Sequence, residues 1–491
     1  MKTLIRFQFV LLAASAGVVL LTFQACRKAA ALGNGEKGGT EQQAQAAEVY
    51  NRFCATCHGT DLRGGNAQSL LDGVWQFGDG EGYVSRNIKF GIPHLGMPAY
   101  GSTLTDQEIK LLVEYLYEEQ SRVGAIKPDP PAELLSTDYI LGCDIWIDSL
   151  EVPWAIVFLN SDTALVTERP GRLRVVAKGR LLEMPVTGTP QVLNEGQGGL
   201  MDVNIDRDYA GDGWIYLSYS HSIQPAKGED RPPAMTRIVR GRIREMKWVD
   251  EQVIYQAPFE TYLTTRHHYG NRIVFDRKGY LYFSIGERGF QDHAQDPKLP
   301  NGKIHRIYPD GTVPDDNPFR SAGLPTVLTI GNRNPQGLSV HPETDEVWEA
   351  EHGPLGGDEL NQIVGGTNYG WPVITYGSNY NGTPVSDYTR MEGYAQPVLY
   401  WKPSIAVCGI EFYQGEAFPK WKNKLLVGAL KYEDVRLLDI EGERVMHEEV
   451  ILKNHGRVRD IGLDPDGNIY VVVNEPDRIL RLSPLGERRG Q

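Results

Sequence analysis

Apolar residues follow three different patterns along the chain. From Phe9 to Phe23 they run without a charge, behind Lys2 and Arg6. Later Ile109, Leu112, Val113 and Leu116 recur at i, i+3, i+4 and i+7, the stripe of one helix face. Beyond Pro130-Pro131 neither pattern returns. Instead an apolar strand, a turn with Asp and Gly and a second apolar strand recur, often with a third strand rich in Arg and Ile. The units begin near Trp154, Leu200, Asn271, Gly337, Gly409 and Arg459. Three of the turns echo one another: Phe275-Asp276-Arg277-Lys278-Gly279, His341-Pro342-Glu343-Thr344-Asp345 and Leu463-Asp464-Pro465-Asp466-Gly467. Six units predict a six-bladed β-propeller, with a sandwich of tandem hairpins as the alternative. A propeller gathers the loops of all its blades around one channel, so site residues should be scattered through the sequence in short loop motifs.

The uncharged run is too short to be a good membrane span. Its fifteen residues reach about 22 Å as a helix, against ~30 Å of hydrocarbon. It reads as the core of a signal peptide, and Ala25 before Cys26 resembles the end of a lipoprotein cleavage box, although Phe23 and Gln24 depart from it. Lipidation of Cys26, plain cleavage and an uncleaved anchor all place the mature chain outside the cytoplasm. The expectation is an exported, periplasmic protein held to the membrane through Cys26.

The first chemistry is Cys54-Ala55-Thr56-Cys57-His58, the attachment signature of c-type haem. Two thiols at i and i+3 add to the haem vinyl groups and the imidazole of His58 ligates iron. A zinc half-site would need more Cys or His nearby, and the only other histidine before His221 is His94. A redox dithiol would want a βαβ context, whereas this motif ends a helical stretch from Ala44 to Phe53, with Ala47, Tyr50 and Phe53 facing inward. Met97 is the only methionine between Met1 and Met184 and lies in Gly96-Met97-Pro98, so it is the first candidate for the sixth iron ligand, with His94 second. The module closes on a helix with a marked start: Leu104 as staple, Thr105 as N-cap, Glu108 at N3 and Ile109 at N4. Two filled axial positions favour electron transfer over oxygen chemistry. The predicted organisation is therefore multidomain: a signal peptide over 1–26, a flexible tether over 27–41, a small all-α cytochrome c domain over 42–125, a Pro-rich linker over 126–138 and an all-β six-bladed propeller over 139–487.

Charge and composition narrow the partners. The 491 residues carry 63 acidic against 50 basic side chains, net −13, with no Lys/Arg stripe, which argues against nucleic acid. Of the five cysteines, Cys143 and Cys408 remain once haem and lipid are assigned; a bridge or two buried thiols both fit. In the propeller region, Gly331-Asn332-Arg333-Asn334-Pro335-Gln336-Gly337 places an arginine in a constrained turn, and Glu351-His352-Gly353-Pro354 through Asp358-Glu359-Leu360-Asn361 joins carboxylates to a turn whose carbonyls suit a hard cation. Lys431 follows an apolar strand, and Arg457 and Arg459 flank Val458. Together Arg333, Lys431, Arg457 and Arg459 offer four positive charges to one channel mouth, which suits a multiply carboxylated ligand.

These motifs resemble the glucose/sorbosone dehydrogenase family, the soluble aldose dehydrogenases that use pyrroloquinoline quinone (PQQ). The resemblance covers nearly all of residues 140–485. It rests on Gly196-Gln197-Gly198-Gly199-Leu200, His268 with Arg272, Arg333-Asn334-Pro335-Gln336-Gly337, the His352–Asn361 stretch, Asn368-Tyr369-Gly370-Trp371-Pro372, Ala429-Leu430-Lys431 and Arg457-Val458-Arg459-Asp460. It implies a six-bladed propeller in which His268 is the general base and Gln197, Arg333, Asn334, Tyr380, Ala429, Lys431, Arg457 and Arg459 surround PQQ. It further implies Ca2+ on the carbonyls of Gly353 and Pro354, with Glu359 and the Tyr369 carbonyl as a further calcium pair. Glu287 stands where the family commonly has an aspartate orienting the base, and His267 beside His268 is a competing imidazole. The function implied is oxidation of an aldose at C1, or of a related aldehyde, with electrons leaving PQQ for haem c and then an external cytochrome or respiratory-chain acceptor. A non-catalytic propeller that binds a partner is the alternative; a metal-dependent lactonase would leave the cytochrome without a role.

Overall fold

The computed structural model describes residues 35–64, 67, 69–72, 75, 81–92, 97–124, 130–131 and 133–488, with side chains from residue 42 onward. The segment read as a signal peptide, Cys26, His94 and residues 126–129 and 132 of the segment read as linker lie outside the described residues. The chain forms two compact units, Met1–Ile126 and Lys127–Gln491.

The first unit is helical: α1 (Gly35–Phe53), α2 (Ala55–His58), α3 (Glu81–Phe90) and α4 (Asp106–Val123). Helix α1 begins inside the segment read as tether, because Glu36 and Lys37 between its glycines and the Glu, Gln and Ala that follow Gly39 are good helix formers. Tyr50 faces inward as expected, but the buried alanine is Ala46, not Ala47. Helix α4 starts at the predicted capping box. The Glu108 amide donates to Thr105 Oγ1 at 3.2 Å and the Thr105 amide donates to Glu108 Oε2 at 2.8 Å. Ile109, Leu112, Val113 and Leu116 are all buried, in a core shared with Tyr50, Leu62, Val84 and Ile88. Among the described residues no helix is long and apolar enough to cross a membrane.

The second unit is six antiparallel sheets in chain order, the predicted propeller. Their innermost strands are Pro153–Asn160, Leu200–Ile205, Ile273–Phe275, Pro335–Val340, Val407–Phe412 and Arg457–Leu463. Each begins within a few residues of a unit start read from the sequence. Apolar clusters fill the spaces between neighbouring blades: Leu165 and Leu217 between the first and second, Ile238 and Phe283 between the second and third, Val435 and Val471 between the fifth and sixth. The ring closes with Val166 of the first blade packed among Val472 and Ile479 of the last.

Closure uses a strand that the repeat did not reveal. Tyr139–Ile147 pairs with Arg478–Glu487 on the last blade, so that sheet is built from both ends of the unit. Leu134–Leu135, at the end of the segment read as linker, adds a fifth strand beyond it. The hub is polar. The Arg272 guanidinium donates from Nη1 to Asp202 (3.2 Å) and Asp460 (2.7 Å) and from Nε to the Gln336 carbonyl (3.1 Å), and it lies 4.3 Å from the Trp154 ring centroid. Arg272 thereby joins blades one, two, four and six, and the motif position four residues after His268 is a structural pin. Cys143 and Cys408 are free thiols in different blades.

Candidate functional site

One rim of the propeller carries the starts of the innermost strands and the ends of the second strands, and the loop motifs gather there. His268 lies just ahead of the third innermost strand with φ of +54°, a conformation that costs a non-glycine residue about 1–3 kcal/mol and needs support from its surroundings. Two neighbours supply it. The His268 amide donates to Gln197 Oε1 at 2.7 Å. Behind the loop, the buried Arg288 guanidinium donates to the carbonyls of Thr265 (2.6 Å) and His267 (2.9 Å). Arg288 is a positioning residue that the sequence reading missed; its only signal is an arginine directly after Glu287.

Glu287 reaches His268. Its Oε1 meets His268 Nδ1 within hydrogen-bond distance, and its side chain is almost wholly buried. A carboxylate on Nδ1 fixes the proton there and leaves Nε2 as a lone-pair acceptor. Burial lowers the His268 pKa below its ordinary 6.5; the bond to Glu287 opposes this and the nearby Arg333 charge reinforces it. The base is thus neutral at neutral pH. His267 stands edge-on to His268, with ring centroids 4.8 Å apart and no carboxylate bond of its own among the described residues.

The network continues to the cation motif. The Glu287 amide donates to the Arg333 carbonyl at 2.8 Å. Arg333, buried, donates from Nη1 to the carbonyls of His352 and Gly353, each at 2.9 Å, and its guanidinium lies 5.1 Å from the Trp371 ring centroid. Glu351, read with the cation-binding turn, instead accepts the amides of Arg333 and Asn334 on Oε2. Asn334 accepts the Gly270 amide at 3.3 Å. Gln336 joins Gly270 to Arg459, whose Nη1 donates to Gln336 Oε1 at 3.3 Å. Gln197, His268, Glu287, Arg333, Asn334 and Arg459 therefore form one bonded set across four blades.

The other expected residues stand apart from that set. Lys431 is exposed, its ammonium 5.8 Å from the Tyr432 ring centroid, and Arg457 lies 3.9 Å from Glu475. Ala429 is fully buried at the end of its strand, and Tyr380 is 77% exposed on a turn.

Two tests bear on fit to the implied groups. The buried Nε atoms of Arg333 and Arg459 have no partner, an unmet demand for acceptors that an anionic ligand answers. At the turn read as a calcium site, a Cβ on Gly353 would fall 2.3 Å from the Gly357 carbonyl oxygen and 2.4 Å from that of Gly356, so the oxygens that cluster here are those of Gly356 and Gly357, whereas the Gly353 carbonyl accepts from Arg333. Glu359 is half-buried and burial raises its pKa to about 8; Tyr369 is buried and its hydroxyl donates to the Gln362 carbonyl at 2.6 Å. These donors are hard oxygens, the right chemistry for calcium. Among the described residues no three Asp, Glu, His or Cys side chains converge as a metal cage, so carbonyls carry the fit.

In the helical unit, the amides of Cys57 (3.1 Å) and His58 (2.9 Å) both donate to the Cys54 carbonyl, so Cys54, Cys57 and His58 sit on one turn. Tyr100 donates to the Phe53 carbonyl at 2.8 Å and Tyr50 to that of Gly59 at 2.6 Å, fixing both flanks. Met97 pairs with Ile92 and packs on the same core as Cys54. Cys54 and Met97 face one apolar core, while Cys57 is exposed and His58 half-buried one turn on; two thiols, an imidazole and a thioether are the donor set that fits haem.

Comparison with known proteins agrees with this geometry. Residues 150–481 match the family model for glucose / sorbosone dehydrogenase, and residues 41–116 match that for cytochrome C oxidase, cbb3-type, subunit III. The chain is 41% identical over 346 residues to aldose sugar dehydrogenase YliI of Escherichia coli, covering 69% of this chain and 91% of that protein. The crystal structure of the soluble aldose sugar dehydrogenase from Escherichia coli in the apo-form aligns with a TM-score of 0.66 at 38% identity, over 70% of this chain and 99% of the other. The PQQ-bound form of the Streptomyces coelicolor aldose sugar dehydrogenase aligns with a TM-score of 0.56 at 25% identity, over 72% and 99%. The chain belongs to the glucose/sorbosone dehydrogenase family and carries a cytochrome c domain ahead of its propeller.

Proposed function

We propose that the protein oxidises the C1 hydroxyl of an aldose to the lactone, with PQQ as two-electron acceptor, covalent haem c as one-electron outlet and an external cytochrome or respiratory-chain component downstream. The observation that carries this reading is the bonded set of neutral His268, buried Glu287 and the under-bonded Arg333 and Arg459 on one rim. His268 Nε2 takes the C1 hydroxyl proton, and Glu287 stabilises the imidazolium that results. Arg333, already fixed by two carbonyls, holds positive charge where negative charge develops. Gln197, Asn334 and Arg459 would line the cofactor site; on the family resemblance Tyr380, Ala429, Lys431 and Arg457 would join them, and the carbonyls of Gly353 and Pro354 together with Glu359 and Tyr369 would hold Ca2+. PQQ, when bound, supplies the redox chemistry. Cys54 and Cys57 would hold haem c through their thiols, and His58 and Met97 would ligate its iron.

Fusion of the two units supports an intramolecular relay, because a tethered acceptor replaces a diffusional encounter with a high effective concentration. The charged start, apolar run and Ala25-Cys26 support export and lipid anchoring at Cys26. The test is reconstitution of the haem-loaded protein with PQQ and Ca2+ against a panel of aldoses, following the reduced-haem band. Sugar-dependent haem reduction at a rate independent of protein concentration is expected. Dye reduction without any haem reduction would sink the relay, and no turnover in a folded, PQQ-loaded protein would sink the dehydrogenase reading.

A further inference from the structure

The blades share one layout, and it exposes a residue that no motif contains. In blades three, four and five the second strands end at Ile285, Glu351 and Ala429, and the residues just beyond are Glu287, His352 with Gly353, and Lys431. The second strand of the first blade, Thr163–Glu168, ends on the same rim, and the next residue is Arg169. Its amide donates to the Val152 carbonyl at 3.0 Å and its own carbonyl accepts the Leu200 amide at 2.9 Å, which seats it between blades one and two beneath the Gln197 turn. The approach is close. A Cβ on Gly199 would lie 2.2 Å from the Arg169 carbonyl oxygen and 2.4 Å from its Cγ, so the glycine after Gln197-Gly198 makes room for this arginine.

Among the described residues Arg169 has no bonded counter-charge. Its buried Nε lacks a partner, and it forms no ion pair among the described residues. Nearby carboxylates are engaged elsewhere: Glu168 takes Arg172 and the Glu151 amide, and Asp477 takes the Val152 amide on one oxygen and Asn474 Nδ2 on the other. Burial first and the Arg459 charge second depress the Arg169 pKa, and the Asp477 carboxylate opposes them more weakly. Arg459 shares the same deficit, with an orphaned Nε and only neutral partners, Gln336 and the Cys408 thiol. The Arg459 guanidinium lies 5.9 Å from the ring centroid of Trp154, two residues on from the Val152 that holds the Arg169 amide. Two partly buried guanidiniums with no ion-paired anion are unfavourable unless a ligand brings one, and a carboxylate accepts from both.

The geometry points to Arg169 as a cofactor-binding residue that, with Arg459, clamps one carboxylate of the quinone cofactor. This rests on the PQQ reading above. The test uses the full-length, haem-loaded protein freed of PQQ, titrated with PQQ alone by quenching of intrinsic fluorescence. Arg169→Gln should weaken PQQ binding about 10- to 100-fold, the loss of one charge-assisted contact. Arg169→Lys should fall between it and the parent, and Arg320→Gln, at an exposed ion pair, should match the parent. Apo Arg169→Gln should melt no lower than the parent, since it removes one of two like charges; if it does melt lower, Arg169→Lys decides the point by its own Kd. Parent-like PQQ affinity in both Arg169 variants overturns the assignment while leaving the PQQ reading intact. Unchanged PQQ affinity with lost binding of an acidic sugar such as a uronate also overturns it, because the anion would then be the substrate's. A parent protein that binds no PQQ overturns both.

Discussion

His267 and His268 are adjacent and chemically identical, and their surroundings alone separate them. Only His268 has a buried carboxylate on Nδ1, an amide held by Gln197 and a place in the bonded set that reaches Arg333. His268→Gln should therefore lower kcat by about 10²–10⁴-fold, the range for loss of a general base, while His267→Gln should stay within about tenfold. Steady-state dye reduction distinguishes them, and equal losses would reject the assignment. The pH dependence follows from the same contacts. The base works deprotonated, so kcat/KM should be full above its pKa and fall as pH drops through it, and burial sets that pKa below 6.5. Glu287 opposes the lowering, so Glu287→Gln should move the acid limb to still lower pH while reducing kcat. A limb that moves upward would show that Glu287 does not stabilise the imidazolium. Glu287 was legible as the position to watch, but whether its longer side chain reaches the imidazole depended on loop geometry.

Among the elements, the closing strand Tyr139–Ile147 matters most to the integrity of the ring. It alternates imperfectly, because bulges shift its register against the last strand between Ile140 and Leu141 and again between Ile145 and Ile147. Leu141 is buried among Leu480 and Leu482, whereas Ile145 is 55% exposed on the same strand. Leu141→Ala should cost about 2–5 kcal/mol and Ile145→Ala under about 0.5, read from urea unfolding of the propeller. Similar costs at both positions would mean that the strand does not seal the sheet. The repeat search missed this strand because a propeller blade completed by the other end of the chain has no local signature. Helix α4, by contrast, was readable to its first residue, since a capping box and a four-residue stripe are local in sequence.

At the scale of the whole molecule, the propeller buries groups that tie its stability to pH. His305 is fully buried, stacked on Phe283, with its ring nitrogens on the Pro300 carbonyl (2.9 Å) and Thr326 Oγ1 (3.0 Å). Burial pushes its pKa down to about 3 from 6.5. Between those values the unfolded chain binds a proton that the folded chain refuses. The stability held above pH 6.5 is therefore lost progressively as pH falls. His305→Gln should flatten the dependence of unfolding free energy on pH by about one proton between roughly pH 4 and 6; an unchanged slope would place the acid sensitivity elsewhere. The sequence by itself determined the Cys54–His58 turn of the cytochrome c domain, the capped helix, the six units and the residues of the cation motifs, because short-range spacing encodes caps, strands and turns. Only the tertiary structure decided which imidazole meets Glu287, that Arg272 pins the hub while Arg288 braces the loop, and that Arg169 stands beside Arg459. Those relations span residues up to 290 positions apart (Arg169 to Arg459), and closing the ring, not any local pattern, brings them together.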